Sequence, residues 1–293
     1  MRLAGLYVPL VTPFDSTGAV AFDALAMLAH QVLDGGATGI VALGTTAEPG
    51  ALSATEQRGV VDRLTGICRE RGAPLLVGAN TVEAVLALAD RPGVSAALTL
   101  VPPFVRPGDA GVLAYFTQLA RSSPVPLVVY HIPHRTGQPL ATDTLLRLAE
   151  LPAVAGIKYA AGGIDADTMA FLAGLPPDFA VLGGEDAVIS PLLALGAHGG
   201  VLTSAHISAA CFAALIRTWQ AGHIGRAQAL GLQLAALSDA LFAAPNPAVI
   251  KGVLHAQGRI PTPDVRLPLL PADPDHTRVA IQRLEAVTGS FGG

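Results

Sequence analysis

The chain of 293 residues contains two lysines, Lys158 and Lys251, against sixteen arginines. Lys158 ends the apolar run "AVAGIK", at the place where a buried strand would stop. An ammonium held where water is scarce loses hydration, and this favours the neutral, nucleophilic amine. Such an amine condenses with a ketone to give a protonated imine. The imine withdraws electrons from the adjacent carbon, which sheds a proton and becomes an enamine, a carbon nucleophile. Building and collapsing the carbinolamine needs an acid and a base, and Tyr130, at the end of "PLVVY", carries a phenol suited to that traffic. Thr45 and Thr46 in "GTTAE" offer hydroxyls to a carboxylate, and the turn at Gly44 offers backbone N–H groups. Arg135, in "YHIPHRTG", brings a guanidinium fork for a second carboxylate. Each residue also has an ordinary reading: a lysine that snorkels to water or pairs with Glu185, a packed tyrosine, a strand-to-loop turn, a surface arginine. The lysine count carries little weight by itself, because richness in Ala, Gly, Pro and Arg is consistent with a coding bias.

What would bring these groups together is the alternation of short apolar runs with helical patterns. Strands are predicted at 6–10, 39–43, 74–78, 96–101, 126–130, 153–158, 179–183 and 199–203. Each is nearly continuous in apolar residues, as expected of a parallel strand covered on both faces. Between them lie helical patterns such as "FDALAMLAHQVLDGG", closed by glycines, and "SATEQRGVVDRLTGICRERG", opened by a capping box of Ser53 and Glu56. Eight such units predict an α/β fold, a (β/α)₈ TIM barrel over residues 1–225, with a C-terminal helical extension over 226–293. The competing doubly wound sheet lacks a G-x-G-x-x-G after its first strand. In a barrel, the carboxyl ends of the strands would collect Thr45, Thr46, Tyr130, Arg135 and Lys158 on one rim.

Composition narrows the partners. Hydrophobic residues make up 51% and charged residues 14% of the chain, whose formal net charge is −4. That balance gives no electrostatic footprint for nucleic acid or an anionic membrane, and no apolar run is long enough to span a bilayer. Cys68 and Cys211 do not make a disulfide framework. A cytoplasmic location is expected, the N-terminus being broken by Pro9, Pro13 and Asp15. No metal is expected: His131 and His134 point to opposite faces of an extended segment, with no carboxylate cluster to complete a site. No cofactor is expected either, since no phosphate cup accompanies a lysine and Glu185 and Asp186 in "VLGGED" would repel an anion. Lys251, on an amphipathic helix, reads as structural.

The spaced set "PLVTPFD", "GTTAE", "YHIPHRTG", "GIK" and "NP" (246–247) resembles the pyruvate-dependent class I aldolases grouped with dihydrodipicolinate synthase and N-acetylneuraminate lyase, nearly end to end. The resemblance implies that Lys158 is the Schiff-base lysine and that Tyr130 relays protons. It implies that Thr45 and Thr46 hold the pyruvate carboxylate, with Thr45 also linked to the tyrosine hydroxyl. Arg135 matches the arginine that engages the carboxylate of aspartate semialdehyde in the synthase branch, and Gly184 and Leu202 fall where the family lines its pyruvate pocket. Homo-oligomers, dimer or tetramer, are also implied. One departure bears on the reaction. "VPPFVRP" (101–107) puts Phe104 where the synthases carry a tyrosine that completes the proton relay across a subunit interface. Phenylalanine has no hydroxyl. A 4-hydroxy-2-oxo acid aldolase, or a related sugar-acid dehydratase or hydratase-aldolase, is therefore the alternative to a synthase, and a non-catalytic 2-oxo acid binder the lesser one. The lysine feedback site of the synthases is poorly matched around residues 49–57.

Overall fold

A computed structural model describes residues 3–291. Eight parallel strands close a barrel in sequence order: β1 (Gly5–Pro9), β2 (Gly39–Ala42), β3 (Leu75–Gly78), β4 (Val94–Leu100), β5 (Leu127–His131), β6 (Val154–Tyr159), β7 (Ala180–Gly183) and β8 (Gly199–Val201). β1 pairs with β8, so no edge strand is left over. Helices α1 (Phe22–Asp34), α2 (Ala54–Arg71), α3 (Val82–Leu86), α4 (Gly108–Ser122), α5 (Pro133–Thr136), α6 (Thr142–Ala149), α7 (Ala166–Ala173), α8 (Ile189–Ala194) and α9 (Ala205–Gln220) connect or cover them. Three more follow: α10 (Ile224–Leu241), α11 (Ala248–Ala256) and α12 (Pro274–Phe291). The turn that ends α9 runs through Gly222, whose φ of +74° suits a residue without a Cβ.

Strand periodicity divides the apolar residues into two cores. Tyr7, Val41, Leu76, Leu98, Val128, Leu182 and Val201 fill the barrel interior. Their neighbours Val8, Ile40, Val77, Ala97, Val129, Ile157 and Val181 face the helical layer and form the larger core with α1, α2, α4 and α9. A strand covered on both faces must be apolar at every position, which explains why the sequence shows runs rather than alternation. α2 starts as predicted: Ser53 Oγ accepts from the Glu56 N–H and the Glu56 carboxylate accepts from the Ser53 N–H, at 3.3 and 2.8 Å. No helix among the described residues is long and apolar enough to cross a membrane.

Candidate active site

The same strand periodicity aims the central pair. Tyr130 and Lys158 are register partners on β5 and β6, and both point inward at the carboxyl end of the barrel. Lys158 is only 4% exposed, and its Nζ lies 4.1 Å from the centroid of the Tyr130 ring. That nitrogen makes no hydrogen bond to any described residue. Glu185, its alternative partner on sequence grounds, instead faces His134 Nδ1 at 3.8 Å. Gly184 is a glycine for a steric reason, since a Cβ there would sit 2.8 Å from Lys158 Cε.

β2 delivers the two threonines on a single 3-10 turn, Thr45–Ala47, bracketed by two non-glycine residues in the left-handed region, Leu43 (φ +52°) and Glu48 (φ +55°). Thr12 Oγ1, in the loop after β1, donates to the Ala47 carbonyl at 2.8 Å and pins the turn. Thr46 is buried; its hydroxyl lies 3.2 Å from Thr203 Oγ1 and accepts a hydrogen bond from Asn246 Nδ2 at 3.0 Å. With one lone pair taken by Asn246, the Thr46 proton is left to donate. No hydrogen bond joins Thr45 to Tyr130 among the described residues, where the resemblance implies a link.

These groups line one cavity of about 260 Å³. Thr45, Thr46, Tyr130, Lys158, Gly184 and Thr203 surround its deep end. His134 and Arg135 on α5, Glu185, and Asp239 and Phe242 on and beyond α10 form its mouth. Arg135 is exposed and holds no ion pair with a described residue, so its guanidinium is available to a ligand. Asp186 is buried in the wall and accepts the Ser204 N–H at 2.5 Å. Burial raises its carboxyl to about 6, against the opposing pull of that hydrogen bond and of the Lys158 charge. The wall thus carries cations and carboxylates together, a setting for a small polar acid rather than an apolar ligand.

One candidate lies elsewhere. Leu202 does not line the cavity: its side chain packs in the outer core, its N–H donates to the Tyr7 carbonyl, and the next residue, Thr203, takes the place at the wall. A one-residue step on a strand end exchanges the two faces. Sequence reasoning did not single out Thr203, Asp186, Asn246 or the α10 residues as lining, although "GGVLTS", "GGED" and "NP" contain three of them. His131 and His134 do not share the expected extended segment: His131 ends β5 and is buried, whereas His134 lies on the helical turn α5 and is exposed. His131 lies beside Tyr159, with ring centroids 5.9 Å apart, and its Nδ1 is buried without a hydrogen-bond partner. Burial pushes that imidazole down to about 4. No cluster of three metal-ligating side chains occurs among the described residues. Phe104 is 89% exposed, with φ of +67°, and takes no part in this chain's own cavity.

Comparison with known proteins agrees with the geometry. A protein of Neisseria meningitidis serogroup B named 4-hydroxy-tetrahydrodipicolinate synthase is 34% identical over 274 residues, covering 92% of this chain and 93% of the relative. One of the same name from Synechococcus elongatus is 37% identical over 269 residues, covering 90% and 89%. Among solved structures, the dihydrodipicolinate synthase of Bacillus anthracis superposes with a TM-score of 0.90 at 30% identity, covering 98% of this chain and 99% of that one. The Acinetobacter baumannii dihydrodipicolinate synthase, complexed with pyruvate, gives a TM-score of 0.90 at 30% identity, covering 97% and 99%. The family described as Dihydrodipicolinate synthetase family matches residues 2–287, and the chain belongs to it.

Proposed function

We propose that this chain is a class I lyase or synthase that condenses pyruvate with aspartate semialdehyde through an imine on Lys158. The observation that carries the reading is the buried Lys158 nitrogen, hydrogen-bonded to no described residue and facing Tyr130 in the cavity. In this mechanism Thr45 and Thr46 hold the pyruvate carboxylate and the neutral amine attacks C2. Tyr130 delivers a proton to the departing hydroxyl and accepts one during enamine formation. The enamine carbon then adds to the aldehyde, whose oxygen takes up the proton. Arg135 at the mouth engages the acceptor's carboxylate, which sets the aldehyde over the enamine. The barrel, residues 1–225, would carry this chemistry, while the extension from 226 completes the wall through Asp239, Phe242 and Asn246.

Phe104 favours the second reading, a 4-hydroxy-2-oxo acid aldolase or related dehydratase, because it removes a hydroxyl from the family's relay. Its exposure, at the tip of a loop with two left-handed residues, Phe104 and Arg106, also fits a residue covered by a second subunit, as a homo-oligomer would provide. The test of the imine is pyruvate with borohydride followed by peptide mass spectrometry. Reduced pyruvyl adduct on Lys158 is the expected result, and an unmodified Lys158 overturns the reading. A coupled assay with aspartate semialdehyde then separates synthase from aldolase. If the lost relay limits turnover, Phe104→Tyr raises it severalfold; brisk turnover of the native chain with no such gain removes the argument for the alternative.

A further inference from the structure

The second lysine lies behind the site. Lys251 on α11 is fully buried, and its Nζ donates to Glu48 Oε1 at 2.6 Å and to the Asp264 carbonyl at 2.8 Å. It also sits 4.0 Å from the centroid of the Phe14 ring. The other oxygen of Glu48 accepts the Arg266 N–H at 2.7 Å, and the Arg266 guanidinium makes a two-point pair with Glu56, the capping residue of α2. Glu48 is thus fastened at both oxygens by the C-terminal part of the chain, and its own backbone ends the Thr45–Ala47 turn.

Glu48 holds a φ of +55°, a conformation where glycine would be unstrained. A non-glycine residue stays there only if its surroundings over-determine it. The side chain supplies that constraint, because a carboxylate buried between an ammonium and a backbone N–H cannot leave without stranding both charges. The turn so held is the one that presents Thr45 and Thr46 to the cavity.

We infer that Glu48 and Lys251 are positioning residues: their ion pair fixes the threonine turn in the shape that receives the 2-oxo acid carboxylate. The inference rests on the proposed imine chemistry. The two lysines of the chain then serve one substrate, Lys158 by bonding to it and Lys251 by holding what grips it. A pair that mattered only to folding would leave substrate affinity untouched once the protein was folded.

The experiment measures the pyruvate concentration that half-saturates borohydride trapping at Lys158 in the full chain, for two variants. Glu48→Asp keeps the charge but shortens the arm by one methylene. The Glu48→Gln, Lys251→Met double substitution removes both charges together, so no buried ion is left unpaired. Circular dichroism selects folded protein before trapping. Half-saturation about tenfold higher than in the native chain, with the maximal trapping rate changed less than about threefold, is the expected result for each folded variant, as loss of roughly one charge-assisted contact's worth of ordering would give. Native half-saturation in a folded variant overturns the inference. Should neither variant fold, the pair is a folding element and the inference also falls. Failure of the native chain itself to be trapped would instead reject the imine reading, which keeps the two outcomes apart.

Discussion

Lys158 lies near the end of β6 with 4% of its surface exposed and no hydrogen bond from Nζ to any described residue, whereas Lys251, fully buried on α11, spends its nitrogen on a carboxylate, a carbonyl and an aromatic face. Burial alone therefore does not mark a reactive amine. The distinguishing feature is whether the folded chain has already satisfied the nitrogen. Desolvation lowers Lys251 to about 8 even though Glu48 pulls the other way. A satisfied nitrogen is a strut, while one that borders a cavity can form a new bond.

Substitutions can break this contrast. Lys158→Met removes the nitrogen proposed to form the imine, so turnover falls about 10⁴-fold or more, to the background of the assay, while the thermal midpoint holds or rises. Lys251→Met acts chiefly on stability, leaving turnover at saturating pyruvate near native while half-saturation rises. It strands Glu48 in the interior and lowers stability by about 3–5 kcal/mol, which denaturant unfolding would read. If both variants lost activity and stability alike, the distinction drawn between the lysines would be wrong. Tyr130→Phe sharpens the same contrast on the reactive side. Turnover falls about 10²–10³-fold with the fold intact, measured with saturating substrates.

Arg135→Ala separates the deep end of the cavity from its mouth. The KM for the acceptor aldehyde rises about 10–100-fold, and pyruvate trapping at Lys158 is unchanged. An equal loss in trapping would place Arg135 on the wrong carboxylate.

The smallest effect is in acid stability. Burial holds His131 and His206 at about 4, below the ordinary 6.5. His206 is tied in its neutral form, with Nδ1 donating to the Thr203 carbonyl and Nε2 accepting the Val11 N–H. Between pH 6.5 and 4 the unfolded rings hold more protons than the folded ones, so their contribution is complete above 6.5 and is lost as pH falls through 4. Asp186, raised from 3.8 to about 6, has the opposite sign; its contribution is complete below 3.8 and is lost as pH rises through 6. The two rings outweigh the one carboxyl, so urea midpoints decline on acidification. His131→Asn flattens that decline by about 1–3 kcal/mol over the window. An unchanged slope would show that His131 does not titrate with unfolding.

The features that sequence revealed are those written in local pattern. Continuous apolar runs gave the strands, the Ser53–Glu56 spacing gave the start of α2, and the position of Lys158 at the end of one run placed it on the rim. Its register partner Tyr130 follows from the same parity. What escaped was the set of long-range partners. Thr46 meets Thr203 and Asn246, and Glu48 meets Lys251, across separations of 157, 200 and 203 residues. No periodicity encodes such meetings. Lys251 read as structural on its amphipathic helix, but nothing in "PAVIKGVLHAQG" shows that its counter-ion comes from the end of "GTTAE". Leu202 rested on the family resemblance and not on strand parity; its side chain packs in the outer core, and Thr203 beside it reaches the cavity wall.

Part of the cavity's mouth, Asp239 and Phe242 at the end of α10, comes from a stretch of polypeptide remote from the strands that carry Tyr130 and Lys158. On the proposed mechanism, acceptor preference can therefore be rewritten by editing one helix end while the covalent step is inherited unaltered. Diversification of such a catalyst becomes a matter of changing its doorway.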